Sequence, residues 1–331
     1  MTDIRTLLWE TARAEKKRAL PILSFPAVQK LNTNVETLVK TPELMAQAME
    51  IIARDTDTLA AVSLMDLSIE AEAFGAQVRF YPDEVPAIVG QLVSDEDEAN
   101  ALEVPGLTAG RALKCVEGMR LAKQRITDKP VLAGMIGPYS LAGRIMDVTE
   151  IMYACYDDPD VVHIVLEKAT QYLIAYGKAM REAGADGIMM AEPLAGLLSP
   201  DMAAEFSVPY VKRIVEALQD DEFAVLYHNC GNSVSTMLPE IFSQGAAGYH
   251  FGNAVDMEVV MKAAPADVLC MGHVDPAAQF TNGTPESMTA ATHDLMARCG
   301  GYKNFVPSSG CDIPAHAPWE NIQAFFGALK D

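Results

Sequence analysis

FAVLYHNCGN, at residues Phe223–Asn232, is an unbroken apolar run that changes into a polar segment containing a glycine. The apolar part, Phe223–Tyr227, predicts a buried β-strand, because short continuous apolar runs bounded by turn residues are typical of such strands. His228 and Cys230 follow it at positions i and i+2, and alternate side chains of an extended segment lie on one face. The sequence therefore predicts that an imidazole and a thiol lie side by side where a buried strand ends.

Apolar runs of this kind recur along the chain, and longer stretches with apolar residues at helical spacing separate them. The eight runs are Leu20–Phe25, Leu59–Leu64, Val131–Ile136, Gly187–Ala191, Phe223–Tyr227, Ala247–Phe251, Val268–Val274 and Asn304–Pro307. Strand–helix alternation implies a parallel sheet, and eight repeats are typical of a closed (β/α)8 barrel. No GxGxxG motif follows the first run, which argues against a dinucleotide-binding fold. We therefore predict an α/β fold, a single (β/α)8 TIM-barrel domain over residues 1–331.

Two segments fall outside this alternation. The charged stretch that precedes Leu20 predicts an N-terminal helical extension of the barrel. The segment Pro82–Lys114 is long, acidic and poor in periodicity, and we interpret it as an insertion after the second strand. Helix starts are clearest at Ser199-Pro200-Asp201 and at residues 284–286 (TPE), where a capping hydroxyl precedes a proline and an acid.

Composition and charge exclude several classes of partner. The formal net charge of −20 argues against nucleic acid and anionic membranes, because both repel an acidic surface. No apolar run approaches the roughly 20 residues that span a bilayer, and the N-terminal segment has no apolar core like that of a signal peptide. The six cysteines lack the density of a secreted disulfide scaffold. We therefore expect a cytoplasmic protein with reduced thiols, and the sequence leaves open whether it forms a homo-oligomer.

Reactive side chains concentrate at the C-terminal ends of the predicted strands, where barrels of this kind carry their chemistry. They include Asp66, Glu192, His228, Cys230, His250, His273, Asp275 and Cys311. The fifth and eighth strands of a barrel share one mouth, so we expect Cys311 to lie near His228 and Cys230. One imidazole and two thiolates suit Zn²⁺ and leave a fourth coordination position for a substrate. The alternative, that both cysteines are small buried apolar residues, stays open here.

The other candidate residues each have a functional and a structural interpretation. Glu192 is a candidate fourth ligand or general base, and a capping or salt-bridged acid is the alternative. Asp66 is a candidate for binding a cationic group or positioning a donor, or else the N-cap of the following helix. His250 and His273 lie within apolar runs, where satisfied core histidines are the alternative to a binding role. Met65 is a candidate for lining a bulky apolar cofactor, or a gap-filling core residue.

Six stretches together resemble the uroporphyrinogen decarboxylase superfamily, over nearly the whole chain. They are MDLSIEAEAFGA (65–76), GMIGPYSLAGRIM (134–146), AEPLAGLLSP (191–200), HNCG (228–231), GHVDP (272–276) and SSGCDIP (308–314). More narrowly, the chain is similar to the methylcobamide:coenzyme M methyltransferase branch. That branch binds catalytic zinc through a His-x-Cys and a distant Cys, which map onto His228, Cys230 and Cys311.

The resemblance implies a zinc-dependent methyltransferase that moves a methyl group between a corrinoid and a thiol such as coenzyme M. A thiol bound to Zn²⁺ is a thiolate at neutral pH and a good nucleophile. The chain has no DxHxxG cobalamin signature, so the corrinoid is expected on a partner protein. In this interpretation Glu192 and Asp66 are catalytic. The candidate corrinoid contacts are Met65, His250, His273 and Asp275.

Other functions of the same superfamily stay open at this point. A demethylase would take the methyl group from a methoxy or methylthio donor, and tetrahydrofolate is a further acceptor. A uroporphyrinogen decarboxylase would need cationic groups for a substrate with eight carboxylates, but FPAVQKLNTN (25–34) lacks the arginine of the decarboxylases' N-terminal segment. Only Arg144 is an evident cation near the mouth. A non-catalytic tetrapyrrole-binding barrel is the alternative outside the enzymes.

Overall fold

The computed structural model describes residues 3–331 and contains a seven-stranded parallel sheet. The nine strands of the described residues are β1 (Ala61–Val62), β2 (Gln77–Arg79), β3 (Ala87–Val89), β4 (Val131–Ile136), β5 (Gly187–Ala191), β6 (Ala224–Asn229), β7 (Gly248–Phe251), β8 (Cys270–Val274) and β9 (Phe305–Ser309). The parallel sheet has the order β1-β4-β5-β6-β7-β8-β9, so sequential strands are also neighbours in space. This confirms the predicted α/β fold with a parallel sheet.

Seven of the eight predicted runs overlap a strand of this sheet, and the first run, Leu20–Phe25, does not. Pro21 has no N–H to donate to a ladder, and Phe25 already begins a 3₁₀ turn. The run nevertheless contacts both edges of the sheet. The N–H of Leu20 donates to the carbonyl of Pro307 in β9 at 3.1 Å, and that of Leu59, just before β1, donates to Ala19 at 2.9 Å.

Helices separate the strands and cover the sheet. The α-helices of residues 3–331 are α1 (Ile4–Arg13), α2 (Val28–Leu31), α3 (Val35–Leu38), α4 (Pro42–Asp55), α5 (Ile69–Ala73), α6 (Glu96–Ala101), α7 (Ala112–Arg125), α8 (Pro138–Met146), α9 (Val148–Asp157), α10 (Pro159–Glu182), α11 (Pro200–Phe206), α12 (Val208–Leu218), α13 (Leu238–Phe242), α14 (Met257–Ala263), α15 (Pro285–Cys299) and α16 (Trp319–Ala328). Ser199 and Thr284 cap α11 and α15 with their hydroxyls, as their sequences predict. No helix in this range is long and apolar enough to cross a membrane.

The segment between α5 and α7 forms its own small unit, and the predicted insertion Pro82–Lys114 lies in it except for its last three residues, which begin α7. β2 and β3 pair antiparallel in a separate two-stranded sheet, and Asp95 caps the short helix α6. Their residues are partly exposed, so they lack the continuous apolar run that marks the strands of the main sheet. The tip of this hairpin, around Val85 and Pro86, reaches the cavity described below.

Buried apolar residues form two clusters on opposite faces of the parallel sheet. In β6, Val225 and Tyr227 belong to the larger cluster, whereas Ala224 and Leu226 belong to the smaller one. Alternate residues of a strand lie on opposite faces, so the smaller cluster marks what we call the inner face. Helix α1 contributes residues at helical spacing to this cluster. His228, two residues after Leu226, continues the inner face toward the end of β6.

Candidate metal centre

Three side chains from two strand ends meet at one point of the inner face. His228 is the fifth residue of β6, Cys230 follows the end of that strand, and Cys311 lies two residues beyond β9. Sγ of Cys311 is 3.6 Å from Nε2 of His228 and 3.9 Å from Sγ of Cys230. The three donor atoms all lie within 4.8 Å of one another. The fold thus brings together the three residues that the sequence proposed as zinc ligands.

These spacings fit the donor set and geometry of zinc. A tetrahedral ion with Zn–S of about 2.3 Å and Zn–N of about 2.0–2.1 Å separates two sulfurs by about 3.8 Å and a sulfur from a nitrogen by about 3.6 Å. The two contacts of Cys311, at 3.9 Å and 3.6 Å, agree with both values. The residues present therefore suit a three-ligand zinc ion with its fourth position open to the cavity.

Glycines allow the loops after β6, β7 and β9 to meet at this site. A Cβ added at Gly252 would lie 2.4 Å from the Cβ of Cys230 and 3.1 Å from the carbonyl oxygen of Gly310. The N–H of Gly252 also donates to the carbonyl of Asn229 at 3.1 Å. A side chain at position 252 would push Cys230 away from its partners, since backbone atoms stand where that side chain would be.

The two thiols are electrostatically unequal. Cys311 donates its S–H to Cys230, and this hydrogen bond together with burial raises the pKa of Cys311 to about 12. The same hydrogen bond lowers the pKa of Cys230. Cys230 is therefore the first of the pair to become a thiolate, and a metal ion binding both sulfurs must displace the proton that they share.

A second histidine lies directly behind His228. Nδ1 of His228 and Nδ1 of His250 are 2.8 Å apart, and the two residues are register partners on the parallel strands β6 and β7. Burial, followed by the neighbouring His228, lowers the pKa of His250 well below its usual value, so His250 is neutral. Its other nitrogen, Nε2, is 2.6 Å from Oγ of Ser308. His250 thus contacts the candidate metal ligand, and its predicted contact with a corrinoid stays a prediction.

A cavity of about 180 Å³ opens beside the three donor atoms. Apolar side chains from the β1 end and from the hairpin tip, among them Met65, Val85 and Pro86, form part of its wall. Arg144 of α8 and Asp312 also line it, and burial raises the pKa of Asp312 well above its usual value. Nε of Arg144 and Oδ1 of Asp312 are buried and have no hydrogen-bond partner in residues 3–331. The cavity therefore offers a cationic and an acidic group to a ligand that contacts the metal position.

Glu192 is fully buried, and its carboxylate accepts hydrogen bonds from the N-terminus of α8. Its oxygens accept hydrogen bonds from the backbone N–H groups of Tyr139 at 3.0 Å and Ser140 at 2.5 Å, in the first turn of α8. Burial raises the pKa of Glu192 to about 7 despite these bonds. Glu192 lies outside the three-donor group, and its backbone N–H donates to the carbonyl of His228 at 2.8 Å. The geometry is that of a capping acid behind the site, and a catalytic role stays a prediction.

Asp66 is held in a buried ion pair. One carboxylate oxygen accepts from Arg111 Nη1 at 2.5 Å, and the other accepts from the hydroxyl of Ser68 at 2.6 Å. Arg111 also contacts Glu72 at 2.6 Å through Nε. Asp66 is not among the residues that line the cavity, although Met65 before it is. Its carboxylate fixes the segment after β1, and its predicted catalytic role stays a prediction.

The remaining predicted corrinoid contacts differ in position. Met65 lines the cavity. Nε2 of His273 is 2.7 Å from the carbonyl oxygen of Val255. Oδ1 of Asp275 accepts from the N–H groups of Ala277 and Ala278, so this acid caps the turn that follows β8. Neither His273 nor Asp275 is among the cavity residues, and their roles stay predictions.

Sequence reasoning did not select several residues of the cavity. Asp312 follows Cys311 directly in SSGCDIP, so its adjacency to a candidate ligand was the available signal. The sequence predicts Arg144 as a cation near the mouth, and the structure adds that it lines the cavity with an Nε that has no hydrogen-bond partner in residues 3–331. Val85 and Pro86 had no signal, because their segment has no periodicity that predicts where it folds back.

Comparison with known proteins agrees with this fold. The chain is 27% identical over 273 residues to methylcobamide:CoM methyltransferase MtbA of Methanosarcina acetivorans, covering 80% of this chain and 78% of that protein. It is 25% identical over 338 residues to uroporphyrinogen decarboxylase of Coxiella burnetii, covering 99% and 91%. A solved methyltransferase from Methanosarcina mazei has the same fold, with a TM-score of 0.88 at 22% identity over 100% of this chain and 99% of that one. The family model "Uroporphyrinogen decarboxylase (URO-D)" matches residues 17–331. The chain therefore belongs to the uroporphyrinogen decarboxylase family.

Proposed function

We propose that this protein is a zinc-dependent methyltransferase that moves a methyl group between a corrinoid and a thiol such as coenzyme M. The observation that carries the proposal is the spacing of the donor atoms of His228, Cys230 and Cys311 beside a cavity. Three protein ligands leave a position for a substrate thiol, which is the arrangement of catalytic rather than structural zinc. The similarity to a relative named methylcobamide:CoM methyltransferase supports the same reaction class.

We also propose that the sheet is closed into a (β/α)8 barrel that forms a single domain. The hydrogen bonds of Leu20 and Leu59 support this, since they link the first apolar run to both edges of the seven-stranded sheet. In this arrangement α1 is the N-terminal extension, and its apolar side covers the inner cluster. The hairpin of β2 and β3, with α6, is the insertion after the second strand.

Zinc bound by the three ligands would lower the pKa of an incoming thiol and hold it as a thiolate. The sulfur of the acceptor attacks the methyl carbon, an S–C bond forms, and the C–Co bond breaks with its electron pair left on cobalt as Co(I). Met65, Val85 and Pro86 supply apolar walls that limit water around the reacting sulfur. Arg144 supplies a cation for an acidic group at the other end of the acceptor. The corrinoid is proposed to arrive on a partner protein that docks over the cavity.

A transfer assay tests this function. Zinc-loaded protein is expected to convert methylcobalamin and coenzyme M to a methyl thioether and cob(I)alamin, followed anaerobically by the absorbance of the corrinoid. Cys230→Ala should abolish turnover, whereas Cys155→Ala, a buried cysteine of α9, should retain it. Turnover that survives Cys230→Ala would contradict the proposal. Release of carbon dioxide from uroporphyrinogen by the same preparation would favour the decarboxylase instead.

Arg144 is expected to select acceptors with an acidic group. Arg144→Met removes a half-buried guanidinium whose Nε has no hydrogen-bond partner in residues 3–331, and a hydrogen bond to a charged group contributes about 1.5–3 kcal/mol. The KM for coenzyme M, which carries a sulfonate, should rise by about 10-fold to 150-fold. The rate with 2-mercaptoethanol, which is uncharged at that end, serves as the internal control and should change little. An equal loss with both thiols would show that Arg144 only supports the fold.

A further inference from the structure

A chain of buried hydrogen bonds leads from His228 to a backbone carbonyl. Nδ1 of His228 is 2.8 Å from Nδ1 of His250, Nε2 of His250 is 2.6 Å from Oγ of Ser308, and that hydroxyl donates to the carbonyl of Leu20 at 2.7 Å. His250 and Ser308 are fully buried, and His228 is 2% exposed. The chain crosses the inner face from β6 through β7 to β9 and ends on the first apolar run.

The hydrogen bond from Ser308 to the carbonyl of Leu20 determines which atom donates in each of the other hydrogen bonds of the chain. A carbonyl oxygen only accepts, so the single hydroxyl proton of Ser308 is committed to Leu20. Nε2 of His250 must then donate to Oγ of Ser308. A second ring proton would make His250 a fully buried cation with no acidic partner in residues 3–331, so its Nδ1 carries a lone pair and accepts from Nδ1–H of His228. Nε2 of His228 is left without a proton, and it is the nitrogen that faces Sγ of Cys311 at 3.6 Å.

We propose that His250 and Ser308 are positioning residues that hold His228 in the tautomer whose Nε2 lone pair is ready to bind the metal. The inference rests on the proposed zinc site and deepens it. Ligating histidines commonly donate their second N–H to a carboxylate or carbonyl, which fixes the ring and the tautomer. Here the acceptor is a neutral imidazole. Two thiolates and one dication then sum to zero charge, so no extra negative charge opposes the arrival of an anionic thiolate.

Ser308→Ala tests this inference, and Ser309→Ala is its matched control. Ser309 is the next residue of β9 and equally buried, but its hydroxyl oxygen accepts from the N–H of Ile22, and only its backbone, which alanine keeps, contacts His250. In Ser308→Ala, His250 loses its acceptor and can present Nδ1–H, which forces His228 to carry its proton on Nε2. Zinc affinity, measured by competition with a chromophoric chelator, should fall by about 10-fold to 100-fold in Ser308→Ala. Ser309→Ala should keep the wild-type affinity, and Ser308→Thr, which keeps the hydroxyl, should restore it.

The tautomer itself is measured in the metal-free, reduced protein by long-range ¹H–¹⁵N NMR of the histidine rings. We expect Nδ1–H on His228 in the wild type and a rising Nε2–H population in Ser308→Ala. Nε2–H on His228 in the wild type would overturn the inference, as would equal losses of zinc affinity in both alanine variants. These readouts do not depend on methyl transfer. A protein that binds zinc with this tautomer but transfers no methyl group would therefore refute the proposed reaction alone.

Discussion

Replacing Cys311 with alanine is expected to reduce the zinc content of the purified protein from about one ion per chain to almost none. A complete zinc site in a small peptide contributes about 10–16 kcal/mol, so one ligand of four accounts for roughly 2.5–4 kcal/mol, or about 60-fold to 700-fold in affinity. Cys311 makes both of the close donor contacts, to His228 and to Cys230, so its loss leaves two ligands on one strand end. Elemental analysis after gel filtration against a weak chelator measures the result.

Cys270→Ala is the matched control for that experiment. Cys270 is a fully buried cysteine in β8, and desolvation raises the pKa of its thiol, so it behaves as a small apolar residue. The Cys270→Ala protein should keep its zinc even if it is somewhat less stable. The proposed metal site would be contradicted if the Cys311→Ala protein retained its zinc. It would also be contradicted if wild-type protein, kept reduced and free of chelators, contained no zinc. His228 and Cys230 would then be ordinary residues at a strand end.

The elements that the sequence predicted best are those whose signal is local. Val131–Ile136 and Gly187–Ala191 coincide with β4 and β5, because β5 is buried along its whole length and β4 at every residue except Gly134. Leu20–Phe25 has the same apolar character, but its proline and its isolated hydrogen bonds leave it outside the ladder. β2 and β3 escaped prediction because their partly exposed residues follow no strong pattern.

The candidate site also contains residues that local sequence predicts and residues that it does not. The pair His228 and Cys230 could be predicted from spacing along one strand, whereas placing Cys311, 81 positions away from Cys230, required the fold. The acceptor chain through Ser308 could not be predicted, since it depends on side chains from three strands that have no sequence relation. Asp66 shows how a local signal can mislead. Its position after an apolar run predicts a catalytic role, but the structure pairs it with Arg111, which is 45 residues away and could not be predicted as its partner from the sequence.

Arg111→Met is expected to lower the free energy of unfolding by about 3–5 kcal/mol, the range for removing one partner of a buried ion pair. The side chain of Arg111 is 5% exposed and that of Asp66 is fully buried, so water cannot replace the lost guanidinium. Glu72, whose side chain is 21% exposed, loses the same partner. Urea denaturation of the wild type and the variant measures the change, with the same m-value, the slope of the unfolding free energy against urea concentration, used for both proteins.

Arg120→Met is the control, because Arg120 lies on the same helix, α7, in an exposed ion pair with Glu117. Its loss should change the free energy of unfolding by less than about 1 kcal/mol. Adding Asp66→Asn to Arg111→Met should recover part of the stability, because Asp66→Asn removes the buried charge that Arg111→Met leaves unpaired. A loss below about 1 kcal/mol in Arg111→Met would show that Asp66 is not held by this pair. Its carboxylate would then be available for chemistry at the adjacent cavity. That result would support the predicted catalytic role of Asp66, which the ion pair with Arg111 argues against.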